Sequence, residues 1–265
     1  MGKYALRTFA LGYLALLLIA PVGMIFYRSF EHGVSAVVNS LTTAEALHAL
    51  WLTVEVSAIA VAANTVFGVA CAIALVRHRF PGRAIVDRLI DLPFAVSPVV
   101  VGLALVLVYG QQGWFGSQLA GAGIQVIFSI PGIVLATIFV SLPYVVREVM
   151  PVLREVGTDQ EEAAQTLGAS GPQTFWRITL PAIRPAVTYG VILSTARALG
   201  EFGAVSVVSG KLQGRTETLT VFVQDRFEGF DMATAYAAAV LLAVLAISVL
   251  LTMTFVDRKR DAHGY

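Results

Sequence analysis

Two ionisable residues stand where the chain is otherwise apolar. They are Arg197 and Glu201, in the run Ala196-Arg197-Ala198-Leu199-Gly200-Glu201-Phe202-Gly203-Ala204. Four residues apart on a helix, they share a face and can neutralise each other. An unpaired charge in hydrocarbon costs about 2.5 to 3.5 kcal/mol on insertion scales, so each must meet protein or water. Two readings follow. In one, the two form an internal or interhelical ion pair that fixes the rotation of their helix. In the other, Arg197 borders a polar path and lowers the barrier for an anion, with the hydroxyls of Ser194, Thr195 and Ser206 as nearby donors. Gly200 and Gly203 suit either a close helix crossing or a narrow passage. A second stretch, Leu92-Pro93-Phe94-Ala95-Val96-Ser97-Pro98, has two prolines that kink or break a helix. Freed carbonyls at membrane depth are tolerated only beside protein or a water-filled path. Ser97 and Pro98 therefore either line a path or mark a packing kink whose carbonyl Ser97 satisfies.

Residues for bond-making chemistry are missing. His32, His48, His78 and His263 fall in loops or near ends without metal-ligand spacing, and no serine or cysteine nucleophile has a nearby base. That disfavours a polytopic membrane enzyme, and neither a catalytic nor a metal site is expected. The single cysteine, Cys71, can form no intramolecular disulfide and reads as packing. No phosphate-cradling glycine-x4-glycine-lysine run is present, so the chain has no ATP site of its own. A net charge of +1 gives no footprint for nucleic acid.

The elements that must position these residues are membrane spans. Of 265 residues, 57% are hydrophobic and 13% charged, against about a quarter charged in an ordinary soluble domain. Apolar runs lie at about 6–27, 50–76, 89–109, 127–146, 185–208 and 233–256. The first follows Lys3 and Arg7 like a signal peptide, but it lacks a small-residue cleavage site and is long enough to span, so it reads as a retained span. Six spans put both termini on one side. With the N-terminus in the cytoplasm, 13 of the 18 Lys and Arg residues fall inside, and Arg28, Lys211, Arg215 and Arg226 outside, as the positive-inside rule requires. The expected fold is an all-α, six-helix polytopic membrane protein forming a single domain over 1–265, its core at about 50–256. Trp51, Trp114 and Tyr109 read as anchors at the outer interface, and Glu55 as a carboxylate that snorkels or meets a loop cation.

A polar insert at about 150–184 interrupts this pattern. Thr158 and Glu161 have the spacing of a capping box, Gly168 is a natural left-handed stop, and Ser170 with Gln173 repeats the box around Pro172. Phe175, Trp176 and Ile178 add apolar bulk before Pro181 and Pro185 close the piece. Such an insert is a compact two-helix knob suited to docking, and it is long for a bare connector.

The spacing of Glu162-Ala163-Ala164, Gly168 and Ile178-x-Leu180-Pro181 resembles the glutamate-alanine-alanine loop of the permease subunits of ABC importers at every defined position. The resemblance implies that this loop inserts into a cleft on a separate ATPase, with Glu162, Ala163, Ala164, Gly168, Ile178, Leu180 and Pro181 as coupling positions. Arg197 to Gly210 is very similar to the fifth span of the W-type permeases of bacterial sulfate/thiosulfate importers. The part up to Ala204 is shared with molybdate permeases, whereas Ser209-Gly210 and Gly214-Arg215-Thr216 favour sulfate. Similarity runs from about Trp51 to the sixth span, and Gly171-Pro172 is a local variation. The implied setting is the bacterial plasma membrane. The implied partners are a T-type second permease, two ATPase copies carrying ATP and magnesium, and an extracytoplasmic sulfate-binding protein. A molybdate-type permease is the alternative within the family. A proton-linked secondary anion carrier would suit Arg197 and Glu201 but has no use for a docking knob.

Overall fold

The computed structural model describes residues 2–261, and all its regular elements among those residues are helical. The first run is one continuous rod, with α1 (Gly2–Leu14), a π-helical turn (Ala15–Ile19) and α2 (Ala20–Phe30) in line. After α3 (Val34–Leu41) comes α4 (Ala44–Arg77), which starts well before the hydropathy run at 50. The reason is a cap that hydropathy does not register: Thr43 Oγ1 accepts from the Ala46 N–H at 3.3 Å, and Glu45 lies in the positive first turn.

The run expected at 89–109 is broken into α5 (Arg83–Ile90), α6 (Leu92–Ala95) and α7 (Pro98–Tyr109). Pro98 forces its predecessor out of the helical region, and Ser97 sits at ψ 134. After α7 comes the short α8 (Gly116–Gly121). Then α9 (Ile130–Val156) runs ten residues beyond the expected end at 146, carrying Pro143 and Pro151 inside it. The polar insert is correspondingly shorter than 150–184. It holds α10 (Asp159–Thr166), α11 (Gly171–Thr174) and a π-helical turn (Phe175–Thr179) before α12 (Leu180–Leu199) begins. Pro181 and Pro185 do not close the insert. Pro181 follows directly on the π-helical turn in a helix that runs without a break from Gly171 to Leu199, and Pro185 deprives the Pro181 carbonyl of its helical partner. A second break at 200–202 separates α12 from α13 (Gly203–Val208), followed by α14 (Leu219–Glu228) and α15 (Met232–Asp261).

Four helices are long and apolar enough to cross a membrane, at Leu6–Phe30, Ala44–Arg77, Ile130–Val156 and Met232–Val249. The core lies where α4, α9 and α12 converge. A Cβ on Gly68 would come within 2.8 Å of Val145 Cβ, and one on Gly190 within 2.9 Å of Val145 Cα, so both glycines exist to let α4 and α12 close on α9. Asn64 of α4 is fully buried; its Nδ2 donates to the Ile138 carbonyl (3.0 Å) and to Ser141 Oγ (2.9 Å), near the turn that Pro143 disturbs. Towards α13 the apolar core is Leu52, Val56, Ile133, Val140, Val205 and Val208. Towards the polar insert it is Leu75, Val149, Leu153 and Ile183. The α1–α2 rod lies at the periphery, its apolar window without a buried residue.

Candidate functional site

The polar insert is a knob held by one guanidinium. Arg77, the last residue of α4, donates from Nη1 to the Leu153 carbonyl (2.9 Å) and from Nη2 to the Gly157 carbonyl (2.6 Å). These lie at the end of α9, where carbonyls lack helical partners. The same guanidinium grips Glu161 of α10 through Nε (3.1 Å) and Nη2 (3.2 Å). Glu161 Oε1 also accepts from Thr179 Oγ1 at 2.9 Å, on the doorstep of α12. The capping box expected from Thr158 and Glu161 therefore does not form. Glu161 is recruited inward by Arg77, and Thr158 Oγ1 donates instead to Glu162 Oε1 at 2.7 Å. The Ser170–Gln173 pair does hold its turn, the Ser170 N–H donating to Gln173 Oε1 at 2.9 Å.

Gly168 stops α10 at φ +86, with the Ala169 N–H donating to the Ala164 carbonyl (3.0 Å) and the Gly168 N–H to the Gln165 carbonyl (2.9 Å). That is the bond pattern of a Schellman ending. The outer face of the knob carries Glu162, Ala163 and Gly168, all exposed, beside Leu167 at 89% and Trp176 at 66% exposure. Ala164 and Ile178 are half-buried, Leu180 packs on the core below, and Pro181 is exposed. Bare apolar side chains at the tip of a polar insert are what a docking surface offers.

The two helix breaks meet each other. A Cβ on Gly203, the first residue of α13, would sit 2.8 Å from Pro98 Cβ of α7. One on Gly102 would sit 2.8 Å from Val207 Cβ and 2.9 Å from the Ala204 carbonyl oxygen. So α7 and α13 cross at glycine distance. At the break, Glu201 is buried, and its Oε1 accepts from the Ala204 N–H at 2.8 Å, capping α13. Its other oxygen lies 2.7 Å from Arg197 Nη1, and Arg197 keeps 28% of its side chain exposed. Thr220 Oγ1 donates to the Glu201 carbonyl at 2.8 Å. Arg197 belongs to the last turn of α12, so helix end and carboxylate both favour its charge.

The hydroxyls do not gather round Arg197 as one set. Ser194 is fully buried, and its Oγ has no partner among the described residues. Thr195 donates back to the Val191 carbonyl at 2.7 Å and lines a groove of about 710 Å³ with Ser57 and Thr65 of α4. Ser206 donates to the Gly203 carbonyl at 2.9 Å. Ser97 lies in the extended link between α6 and α7, and its hydroxyl makes no hydrogen bond among the described residues, so it does not satisfy the freed carbonyl.

Three polar constellations are absent from the sequence expectations. Arg77 enters there only as one basic residue among many. Arg147 of α9 holds Asp87 (2.7 Å to Oδ1) and Asp91 (2.7 Å to Oδ1), tying the C-terminal half of α9 to α5. Glu217, in the link between α13 and α14, is buried, and among the described residues neither of its carboxylate oxygens is bonded. Burial, with help from Asp225 and Glu45 and against Arg226, pushes its carboxyl up to about 7. The only signal in the sequence is charge sign, and partners 56 to 84 positions apart cannot be paired from that. Of the histidines, His48 lies inside α4 rather than in a loop, its Nε2 3.3 Å from the Arg215 carbonyl oxygen, and His263 is outside the described residues. Trp51 and Trp114 are exposed, and Tyr109 stacks on Phe115 at 6.0 Å.

An apolar helical core with two facing breaks and a capped polar knob is a transporter component in outline, and sequence comparison decides the family. The profile described as binding-protein-dependent transport system inner membrane component matches residues 64–262. The chain belongs to that family. This inner membrane transport component is also 49% identical over 261 residues to the "Sulfate transport system permease protein CysW" of Synechocystis sp. (strain ATCC 27184 / PCC 6803 / Kazusa), covering 98% of this chain and 95% of the relative. That similarity takes in the first span, which the motifs alone leave outside. It is 40% identical over 238 residues to the "Sulfate transport system permease protein CysT" of Synechococcus elongatus (strain ATCC 33912 / PCC 7942 / FACHB-805), covering 90% of this chain and 86% of the relative. In fold it matches a chain of a bacterial alginate ABC transporter solved in complex with alginate pentasaccharide-bound periplasmic protein. The TM-score is 0.78 at 18% identity, covering 97% of this chain and 93% of the other. The permease is thus a multi-pass membrane protein of the ABC importer permease fold.

Proposed function

We propose that the chain is the W-type permease subunit of an ATP-driven ABC importer that carries sulfate, and thiosulfate with it, into the cytoplasm by alternating access. The observation that carries this reading is identity of 49% along 98% of the chain to a sulfate permease. The related T-type chain at 40% identity supports a second, different permease as partner. The alginate transporter bound to its periplasmic protein supports an extracytoplasmic binding protein that delivers the anion.

Six crossings are completed by the two broken helices, α5–α7 and α12–α13, and both termini then lie in the cytoplasm, as does the knob at 157–179. There Glu162, Ala163, Ala164 and Gly168, with Ile178, Leu180 and Pro181 behind them, meet a separate ATPase present in two copies, which holds ATP and magnesium. Closure of the ATPases carries the knobs inward and turns the spans from inward to outward opening. Ser97, Pro98, Ser194, Thr195, Arg197 and Glu201 are the path positions. The facing breaks place backbone without helical partners beside the pair of Arg197 and Glu201, which suits an anion passing a partly neutralised cation.

The test is purification of the tagged chain from its own cell in mild detergent, followed by mass spectrometry and by uptake of labelled sulfate in a strain lacking it. The expected result is an ATPase and a distinct related permease in stoichiometric amount, with sulfate uptake restored. A self-paired permease with ATPase that restores molybdate uptake instead would replace sulfate with molybdate, and recovery without any ATPase would overturn the reading.

A further inference from the structure

The knob is joined by chain to α9 and α12 but not to α4, the longest helix of the core. Among the described residues its polar attachment to α4 is the guanidinium of Arg77, beside the apolar packing of Phe175 on the core that α4 shares. We infer that Arg77 is the coupling lever that makes α4 move with the docking knob. The inference rests on the importer reading, because it needs a separate ATPase to move the knob.

The geometry carries it in three steps. Arg77 makes four hydrogen bonds of 2.6 to 3.2 Å with two carbonyls of α9's end and both oxygens of Glu161. A fork of this kind fixes orientation as well as distance, which a lysine ammonium cannot do. Thr179 closes the set from the start of α12, so a single carboxylate answers to α4, α10 and α12 together. Finally, the side chains of Arg77 and Glu161 are only 11% and 16% exposed, so water and salt screen the pair little, and its loss leaves a largely buried carboxylate held by Thr179 alone. Directly behind it Leu75, Val149, Leu153 and Ile183 lock α4, α9 and α12 into one packed end. A pull on the knob thus reaches three core helices at once. Without Arg77 it reaches α4 only through that apolar packing, which fixes no orientation at the knob itself. None of the four residues in this clamp, Arg77, Gly157, Glu161 and Thr179, belongs to the glutamate-alanine-alanine motif.

The experiment uses the full transporter in proteoliposomes, with its ATPase, second permease and binding protein, and reads sulfate taken up per ATP hydrolysed. Arg77→Gln is expected to lower that ratio by roughly two- to thirtyfold while co-purification of the ATPase is retained. Arg77→Lys should fall between Arg77→Gln and the parent. The double variant Arg77→Gln/Glu161→Gln should be no worse than Arg77→Gln alone, because both changes cut one link. Should Arg77→Gln fail to insert, Thr179→Val removes a single hydroxyl from the same carboxylate and should lower the ratio in the same direction. The lever is overturned if the ATPase is retained and uptake and hydrolysis fall in proportion, or if the two substitutions multiply. Absence of the ATPase from the parent complex would instead overturn the importer reading itself.

Discussion

The crossing of α7 with α13 and the knob at 157–179 both depend on glycine, for opposite reasons. At the crossing, added Cβ atoms on Gly102 and Gly203 would lie 2.8 Å from Val207 and Pro98, so glycine is required by crowding. At the knob, Gly168 has open space around it and φ +86, so glycine is required by backbone conformation. Their ion pairs differ in the same way. Arg197 and Glu201 are one helical turn apart and act locally, capping α13, whereas Arg77 and Glu161 are 84 positions apart and join elements the chain does not connect. The crossing is held by fit and the knob by a clamp. One is made to keep a geometry, the other to transmit a displacement.

The largest effect should follow from splitting the local pair. Arg197→Met strands Glu201 as a buried carboxylate, and removal of one partner from a buried pair costs about 3 to 5 kcal/mol, nearer the lower figure here because Arg197 is part exposed. Thermal unfolding in detergent should register the loss. The double variant Arg197→Met/Glu201→Gln, which keeps an acceptor for the Ala204 N–H, should recover most of it. Sulfate uptake by that restored double variant then separates the two roles of Arg197. Normal uptake would leave the arginine a purely structural partner, and uptake lost from a stable protein would assign it to the anion's path.

Next in size is crowding at the crossing. Gly203→Val should destabilise by about 1 to 3 kcal/mol, the usual cost of overpacking, seen as a lower melting temperature and a poorer yield of folded protein. An unchanged melting temperature would mean that α7 and α13 do not approach as closely as glycine permits.

Smaller in stability and larger in function is the knob. Gly168→Val meets only backbone strain, about 1 to 2 kcal/mol for a left-handed residue, and should leave insertion intact while sulfate uptake per ATP drops. Gly168→Asn, which tolerates that region better, should retain more coupling. If valine proved as well coupled as glycine, the contrast between the two regions would fail.

The smallest effect lies at the link between α13 and α14. Glu217, with its carboxyl raised to about 7, favours its neutral form in the folded state. Stability from this group is fully present below the ordinary carboxylate range and is lost as pH rises towards about 7. Glu217→Gln should therefore raise the melting temperature at pH 8 and change it little at pH 4. Equal gains at both would show that burial of the charge is not the cause.

Patterns that are local in the chain are legible without coordinates. The alternation of apolar runs, the stop at Gly168, the turn-spaced pair Arg197 and Glu201, and the break before Pro98 each depend on residues within a few positions of one another. The Thr158–Glu161 box failed by the same logic. It is a correct local pattern, but Arg77 outcompetes the backbone N–H for Glu161 from another helix. Helix ends depart from the apolar runs where hydropathy says nothing, as when Thr43 starts α4 early or α9 runs on past Pro151 into polar residues.

From its sequence alone this protein had to be a helical, multi-pass membrane chain with a capped polar insert, because burying backbone in lipid and stopping a helix are decided by neighbours along the chain. Which carboxylate each arginine takes, that the two helix breaks face each other, and that α4 is tied to the knob were decided only by the tertiary structure. Those pairings depend on which distant side chains packing brings within about 3 Å, and charge sign along a sequence carries no distance.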